Sequence, residues 1–257
     1  MNSAFALFNS PLEQFEIIPL LSRQLAGIDL SRTNTSLMMI ACAGVLTVGM
    51  QAVLASGSGT IVPNRWQTVV ESIYNLVLSM IGQTMGTSGV KFIPMIFTLF
   101  TFILACNLFG LIPYSYTVTS QLVVTMTLSL MIWIGKLVLG IRLHGIKLLS
   151  MFLPQGTPFA MYWMMVPLEM MGYTITFISL SVRLFANMVA GHILLKVIAG
   201  FAWTMMASGG LLYIAHFIPM AVLFLLLILE TAVACIQAYV FTLLSCIYIA
   251  DMIHGGH

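Results

Sequence analysis

FIPMIFTLFTFILACNLFGLIPYSYTVTSQLVVTMTLSLMIWIG, residues 92–135, runs for 44 residues between Lys91 and Lys136 without a charge. A hydrocarbon layer about 30 Å thick is crossed by about 20 apolar residues in helical form. The stretch is too long for one crossing, and NLFGLIPYSYTVTSQ (107–121) interrupts it with Gly, Pro and hydroxyl residues. It predicts a helix pair over 92–140, with spans at about 92–112 and 119–140.

Toward the N-terminus, SLMMIACAGVLTVGMQAVLA (36–55) is a sufficient first span, preceded by an N-terminal segment 1–35 and followed by the turn-forming SGSGTIVPN (56–64). The segment 65–86 is different. Trp66, Val69, Val70, Ile73, Val77, Met80 and Ile81 follow helical spacing, with Gln67, Glu71, Ser72, Asn75 and Ser79 between them. That pattern predicts an amphipathic helix lying in the membrane interface, although it also fits a polar-faced span.

Toward the C-terminus, Arg142, His144 and Lys147 form a basic loop that ends in PQGTP (154–158). Two long apolar helices follow, at about 160–204 and 212–250, separated by ASGG (207–210). Counted from Pro167 and Pro219 they still exceed the length of a straight crossing, which calls for a strongly tilted hairpin over 160–250 or a break at Pro219.

The whole chain agrees. Of 257 residues, charged ones make up 6% and apolar ones 60%, against about 25% charge in a soluble domain. The expected fold is an all-α integral membrane protein, a single membrane domain (1–257) with five crossings and one interfacial helix. A net charge of +2 leaves no basic face for nucleic acid. Cysteines 42, 106, 235 and 246 lack metal or redox spacing and read as small apolar side chains, so neither metal nor cofactor is expected.

The first basic residue is Arg23, and Glu13 and Glu16 precede it, unlike a mitochondrial import signal. This fits a bacterial inner-membrane protein or one made inside an organelle, and the 20 methionines lean to the second. Arg65 and Lys91 flank the interfacial segment, and Lys136, Arg142 and Lys147 cluster at the fourth turn, whereas the loops near 115 and 208 carry no charge. The positive-inside rule then puts the N-terminus outside and the C-terminus inside, with Arg23 and Arg32 counting against it.

Beyond Lys91 only three acids remain: Glu169, Glu230 and Asp251. With Arg183, Asn187, His192, Lys196, His216 and Gln237 they form the dense polar set of the last two helices. An ion at the bilayer centre costs about 2.5 to 3.5 kcal/mol or more, so each should face a partner or water. At about 100° per residue, Glu169, Thr176, Leu180, Arg183 and Asn187 share one line, His192 and Lys196 lie roughly opposite, and Glu230, Gln237 and Asp251 share a stripe on the second helix.

A hairpin turning near 211 pairs residues whose numbers sum to about 422. His192 then meets Glu230, Asn187 meets Gln237, and Glu169 meets Asp251. Arg183 falls between the last two levels.

Structural readings exist for most of these groups. Asn187 and Gln237 could simply tie helices together, and Lys196 and Asp251 could snorkel. His144, His254 and His257 read as solvated, and His216 as a cap beside Pro219. Arg183, with at least 12 uncharged residues on each side, has no such reading.

SLSVRLFANMVAGHILL (179–195) closely resembles the signature of subunit a of F-type ATP synthases. NLFGLIPYSYTVTSQL (107–122) and ETAVACIQAYVFTLL (230–244) are also similar to that family, and SPLEQFEI (10–17) resembles mitochondrial, particularly fungal, members. The resemblance implies a proton-translocating stator subunit of the mitochondrial inner membrane, with ATP chemistry carried by partner subunits.

It also implies two offset half-channels against a ring of c subunits, with peripheral-stalk subunit b and other small membrane subunits alongside. By position, Arg183 would be the essential arginine facing the ring carboxylates, flanked by Asn187 and Gln237. His192 and Glu230 would line access from the intermembrane space, and Glu169 and Asp251 the matrix side. A guanidinium stays charged at any relevant pH, so it favours release of a proton from an arriving carboxyl yet passes none itself.

Three rivals stand beside this, the third a purely structural membrane scaffold, which the paired polar levels disfavour. A self-contained secondary transporter with Arg183 at its substrate site should show an inverted repeat, which the sequence lacks. A haem- or quinone-binding subunit would use His192 and His216, whose sum of 408 misses the hairpin register.

Overall fold

The computed structural model describes residues 15–21, 24–25, 28–29, 31–57, 64–112, 115–145 and 162–254. Within the N-terminal segment lies a small nested ribbon that the sequence reading does not anticipate. Strand β1 (Pro19–Leu21) pairs antiparallel with β4 (Arg32–Thr33), and between them β2 (Gln24–Leu25) pairs with β3 (Ile28–Asp29). Every regular element described after it is helical.

Helix α1 (Asn34–Gly57) begins where the Thr33 hydroxyl accepts from the Ser36 amide at 3.4 Å and the Asn34 side chain from the Thr35 amide at 2.9 Å. Asn64 caps α2 (Arg65–Met85) in the same way, accepting from the Arg65 amide at 2.8 Å. A tight 3-10 stretch, Gly86–Phe92, leads into α3 (Ile93–Gly110). Pro94 stands in the first turn of α3, where a missing amide is harmless. Helix α4 spans Leu122–His144.

Two long helices complete the chain. Helix α5 (Tyr162–Ser208) has 47 residues and contains Pro167 near its start; α7 (Phe217–His254) has 38. They are antiparallel, joined by Gly209 and Gly210, at φ 67° and 62°, and by the short α6 (Leu211–Ala215). Two successive left-handed residues reverse the chain at little cost only when neither carries a Cβ.

The break in the second long segment comes at His216 rather than at Pro219. The His216 ring donates to the Tyr213 carbonyl, capping α6 as expected, and the Met220 amide reaches the His216 carbonyl at 3.2 Å. Pro219 falls in the first turn of α7, a position that tolerates it.

Helix α7 is the central element, packed on α2, α3, α4 and α5. Its Ala238, Phe241, Cys246 and Ile249 are buried with Val77 and Ile81 of α2, Ile96, Phe100 and Ile103 of α3, Ile132 of α4, and Leu180 and Leu184 of α5. In α2 only the second half of the apolar stripe joins this core: Val77, Met80, Ile81 and Met85 are buried, while Trp66 is 70% exposed.

Five stretches are long and apolar enough to cross a membrane: Asn34–Ala55, Arg65–Gly110, Leu122–His144, Thr174–Ser208 and Tyr213–Ile253. The architecture is that of an all-α integral membrane protein, with α1 mostly exposed along its length.

Two basic residues depart from the sequence reading. Arg142 is not part of a loop but lies inside α4, which continues to His144; Lys136, within the expected span, is only 4% exposed. Arg142 and His144 sit in the last turn of α4, where positive groups suit the carbonyl end of a helix. His144 is not simply solvated either: its Nε2 donates to the Met252 carbonyl at 2.9 Å, tying the end of α4 to the end of α7. Lys147, the breakers at 154–158, Arg23, Glu13 and His257 lie outside the described residues.

Candidate functional site

The α5/α7 hairpin brings two of the three expected polar levels together. At the level nearer the Gly209–Gly210 turn, His192 Nε2 lies 3.9 Å from Glu230 Oε1 and hydrogen-bonds Thr117 Oγ1 at 2.9 Å. Thr117 belongs to the connection between α3 and α4. That connection is itself anchored: Tyr116 accepts from Thr35 at 3.0 Å and from Gln121 at 2.7 Å. The segment that reads in sequence as a turn is thus folded inward as a wall of the site.

Glu230 is 5% exposed, and neither of its carboxyl oxygens has a hydrogen-bond donor among the described residues. A buried carboxyl with empty acceptors is costly, and such groups mark places where function outweighs stability. It fits because residue 191 has no side chain. A Cβ on Gly191 would stand 2.5 Å from Glu230 Oε1.

Gly191→Ala should therefore push the carboxyl off its rotamer and away from His192, at a cost of about 0.5 to 1.5 kcal/mol. Under the role that the resemblance implies, proton flux should fall by about two- to tenfold in normally assembled complexes. Flux equal to the parent, measured in membrane vesicles, would count against a fixed carboxyl position.

One turn and a half away, Asn187 Nδ2 donates to Gln237 Oε1 at 3.1 Å, and Gln237 Nε2 is buried without an acceptor among the described residues. Asn107 of α3 donates to the Ala234 carbonyl at 3.2 Å, and its own carbonyl oxygen is likewise buried and unbonded. A row of open polar valences thus runs along α7 from 230 to 237.

Arg183 projects from the other side. It is exposed, and among the described residues no hydrogen bond or ion pair reaches it. Around it Ile178 and Val182 on α5, and Ile236 and Tyr239 on α7, are exposed too.

The far end of α7 carries the third level. Asp251 is exposed there, and Tyr248 lies within electrostatic reach of both Arg183 and Asp251. Glu169 is on α5, but its side chain is outside the described residues, so its expected meeting with Asp251 is not described. Glu230 and Asp251 are 21 residues apart, about 32 Å along the helix, close to the thickness of a hydrocarbon core.

Thr117, Asn107 and Gly191 touch the polar groups of this hairpin, and the sequence reading does not single them out. Thr117 and Asn107 lie within the stretch that resembles the family, yet uncharged side chains gave no signal of burial. His192 and His216 do not face one another, and among the described residues no group of His, Cys, Asp and Glu could hold a metal ion.

A helical protein with five stretches able to cross a membrane, a buried His–Glu pair and an exposed arginine on an apolar face has the features of the class that moves ions through the membrane. The profile of the ATP synthase A chain family matches residues 36–250. The chain is 48% identical to ATP synthase subunit a of Chondrus crispus over 96% of this chain and 97% of that one. It is 46% identical to that of Marchantia polymorpha, over 95% and 98% of the two chains, and 43% identical to that of Parvibaculum lavamentivorans, over 96% and 94%.

The chain belongs to the ATP synthase subunit a family. It is a multi-pass, proton-translocating membrane subunit of an F-type ATP synthase and associates with other subunits of that complex. The relatives with the higher identities are algal and plant organellar chains, not the fungal ones suggested by residues 10–17.

Proposed function

We propose that the α5/α7 hairpin, together with the α3–α4 connection, forms two offset aqueous half-channels, and that Arg183 separates them. One half-channel runs from the α6 end through Thr117, His192 and Glu230 toward Asn187 and Gln237. The other leaves past Tyr248, Glu169 and Asp251. Protons then pass from one to the other only by riding carboxylates on a ring of c subunits against the exposed face of α5 and α7.

The observation that carries this reading is the placement of Arg183: exposed on an apolar face, at a level of the hairpin between Glu230 and Asp251 of α7. A charge there is unfavourable in lipid and is accounted for by an arriving carboxylate. Each proton that crosses 100 mV releases about 2.3 kcal/mol, and offset paths oblige that energy to appear as rotation.

In this reading the protein sits in the mitochondrial inner membrane, its N-terminus in the intermembrane space and its C-terminus in the matrix. Helix α2 lies along the interface, with the exposed Trp66 at headgroup level. Peripheral-stalk subunit b and small membrane subunits flank it, and partner subunits carry the ATP chemistry.

Sidedness tests it. In a chain whose four cysteines are replaced, Asp251→Cys should react with an impermeant thiol reagent from the matrix side and Glu230→Cys from the opposite side. Equal labelling of both from one side would reject two offset paths.

A further inference from the structure

Lys136 is a poor choice for filling the core. It is 4% exposed, on the face of α4 that meets α5 and α7, and a cavity of about 20 Å³ remains beside it, lined in part by Ser129, Trp133, Thr176 and Tyr248. An apolar side chain would bury there without the cost of desolvating an ammonium, which amounts to several kcal/mol. Its Nζ lies 5.1 Å from the centre of the Tyr248 ring, within the range of a cation–π contact.

Tyr248 stands one turn before Asp251 on α7. Two turns further along α4, His144 holds the Met252 carbonyl, so α4 grips α7 on both sides of Asp251's turn. We propose that Lys136 is a positioning residue for proton movement at the Asp251 end: its ammonium fixes the Tyr248 ring, and with it the turn of α7 that carries Asp251. This rests on the reading above, in which protons pass along Asp251.

The test uses assembled complexes in membrane vesicles, with proton-driven ATP synthesis expressed per assembled complex. Lys136→Met should lower the rate about tenfold, while Lys136→Arg, which keeps a cation able to stack on the ring, should keep about half or more. Tyr248→Phe retains the ring and should exceed Tyr248→Leu by about fivefold. Once Tyr248 is Leu, adding Lys136→Met should change nothing further, since the two act as one unit.

A full rate per complex in Lys136→Met, or losses that multiply in the double variant, would overturn the role. If Lys136→Met does not assemble, the Phe and Leu variants decide alone, and equal rates in those two overturn it. Asp251→Asn is measured alongside. Normal synthesis in that variant rejects the path itself, whereas loss there with an unimpaired Lys136→Met rejects only the positioning role.

Discussion

Arg183→Ala should abolish ATP synthesis and open a passive proton leak. A fixed guanidinium about 6 Å from a passing proton, at an effective dielectric of about 20, raises the energy there by about 2.8 kcal/mol. Its removal should increase leak by about a hundredfold. Arg183→Lys should also fail to couple, because a compact ammonium lacks the planar fork that matches a carboxylate.

The structure gives a sharper version. Asn187, one turn beyond Arg183 on α5, bonds Gln237 on α7, so residue 237 stands about one turn from the level of Arg183. The exchange Arg183→Gln with Gln237→Arg returns a guanidinium to nearly the same place from the partner helix. Partial recovery of proton translocation, above either single variant, is expected. Proton flux and ATP synthesis in vesicles measure it, and an exchange that leaks as freely as Arg183→Ala would mean that charge at this level is not what separates the paths.

Glu230→Gln should slow proton-driven synthesis by about 10²-fold, within the range that a positioned proton-transfer group contributes. The amide keeps the size and shape that Gly191 accommodates, so the complex should assemble normally. It cannot take up and release a proton beside His192. Lys196→Gln is the control: it removes a neighbouring charge on α5 that the mechanism does not use, and synthesis should stay within about twofold of the parent. Equal losses in the two variants would remove the special status of the His192–Glu230 pair.

Much of this protein follows from linear arithmetic. Uncharged stretches longer than a bilayer is thick leave a helical membrane protein as the solution, because unpaired backbone groups are not tolerated in hydrocarbon. Two long helices with a Gly-Gly turn between them must run antiparallel, and a constant index sum then pairs His192 with Glu230 and Asn187 with Gln237, as observed.

Periodicity along one helix says nothing about a third. That Thr117 and Asn107 close on α5 and α7, that Gly191 makes room for a carboxyl, and that Lys136 lies under Tyr248 are facts of packing among helices far apart in the chain. Hydropathy records how much apolar surface a segment has and how it repeats. Tertiary structure alone decides which neighbour each polar group meets, because the same stripe can pack against several partners with equal loss of apolar surface and quite different pairing of its few polar atoms.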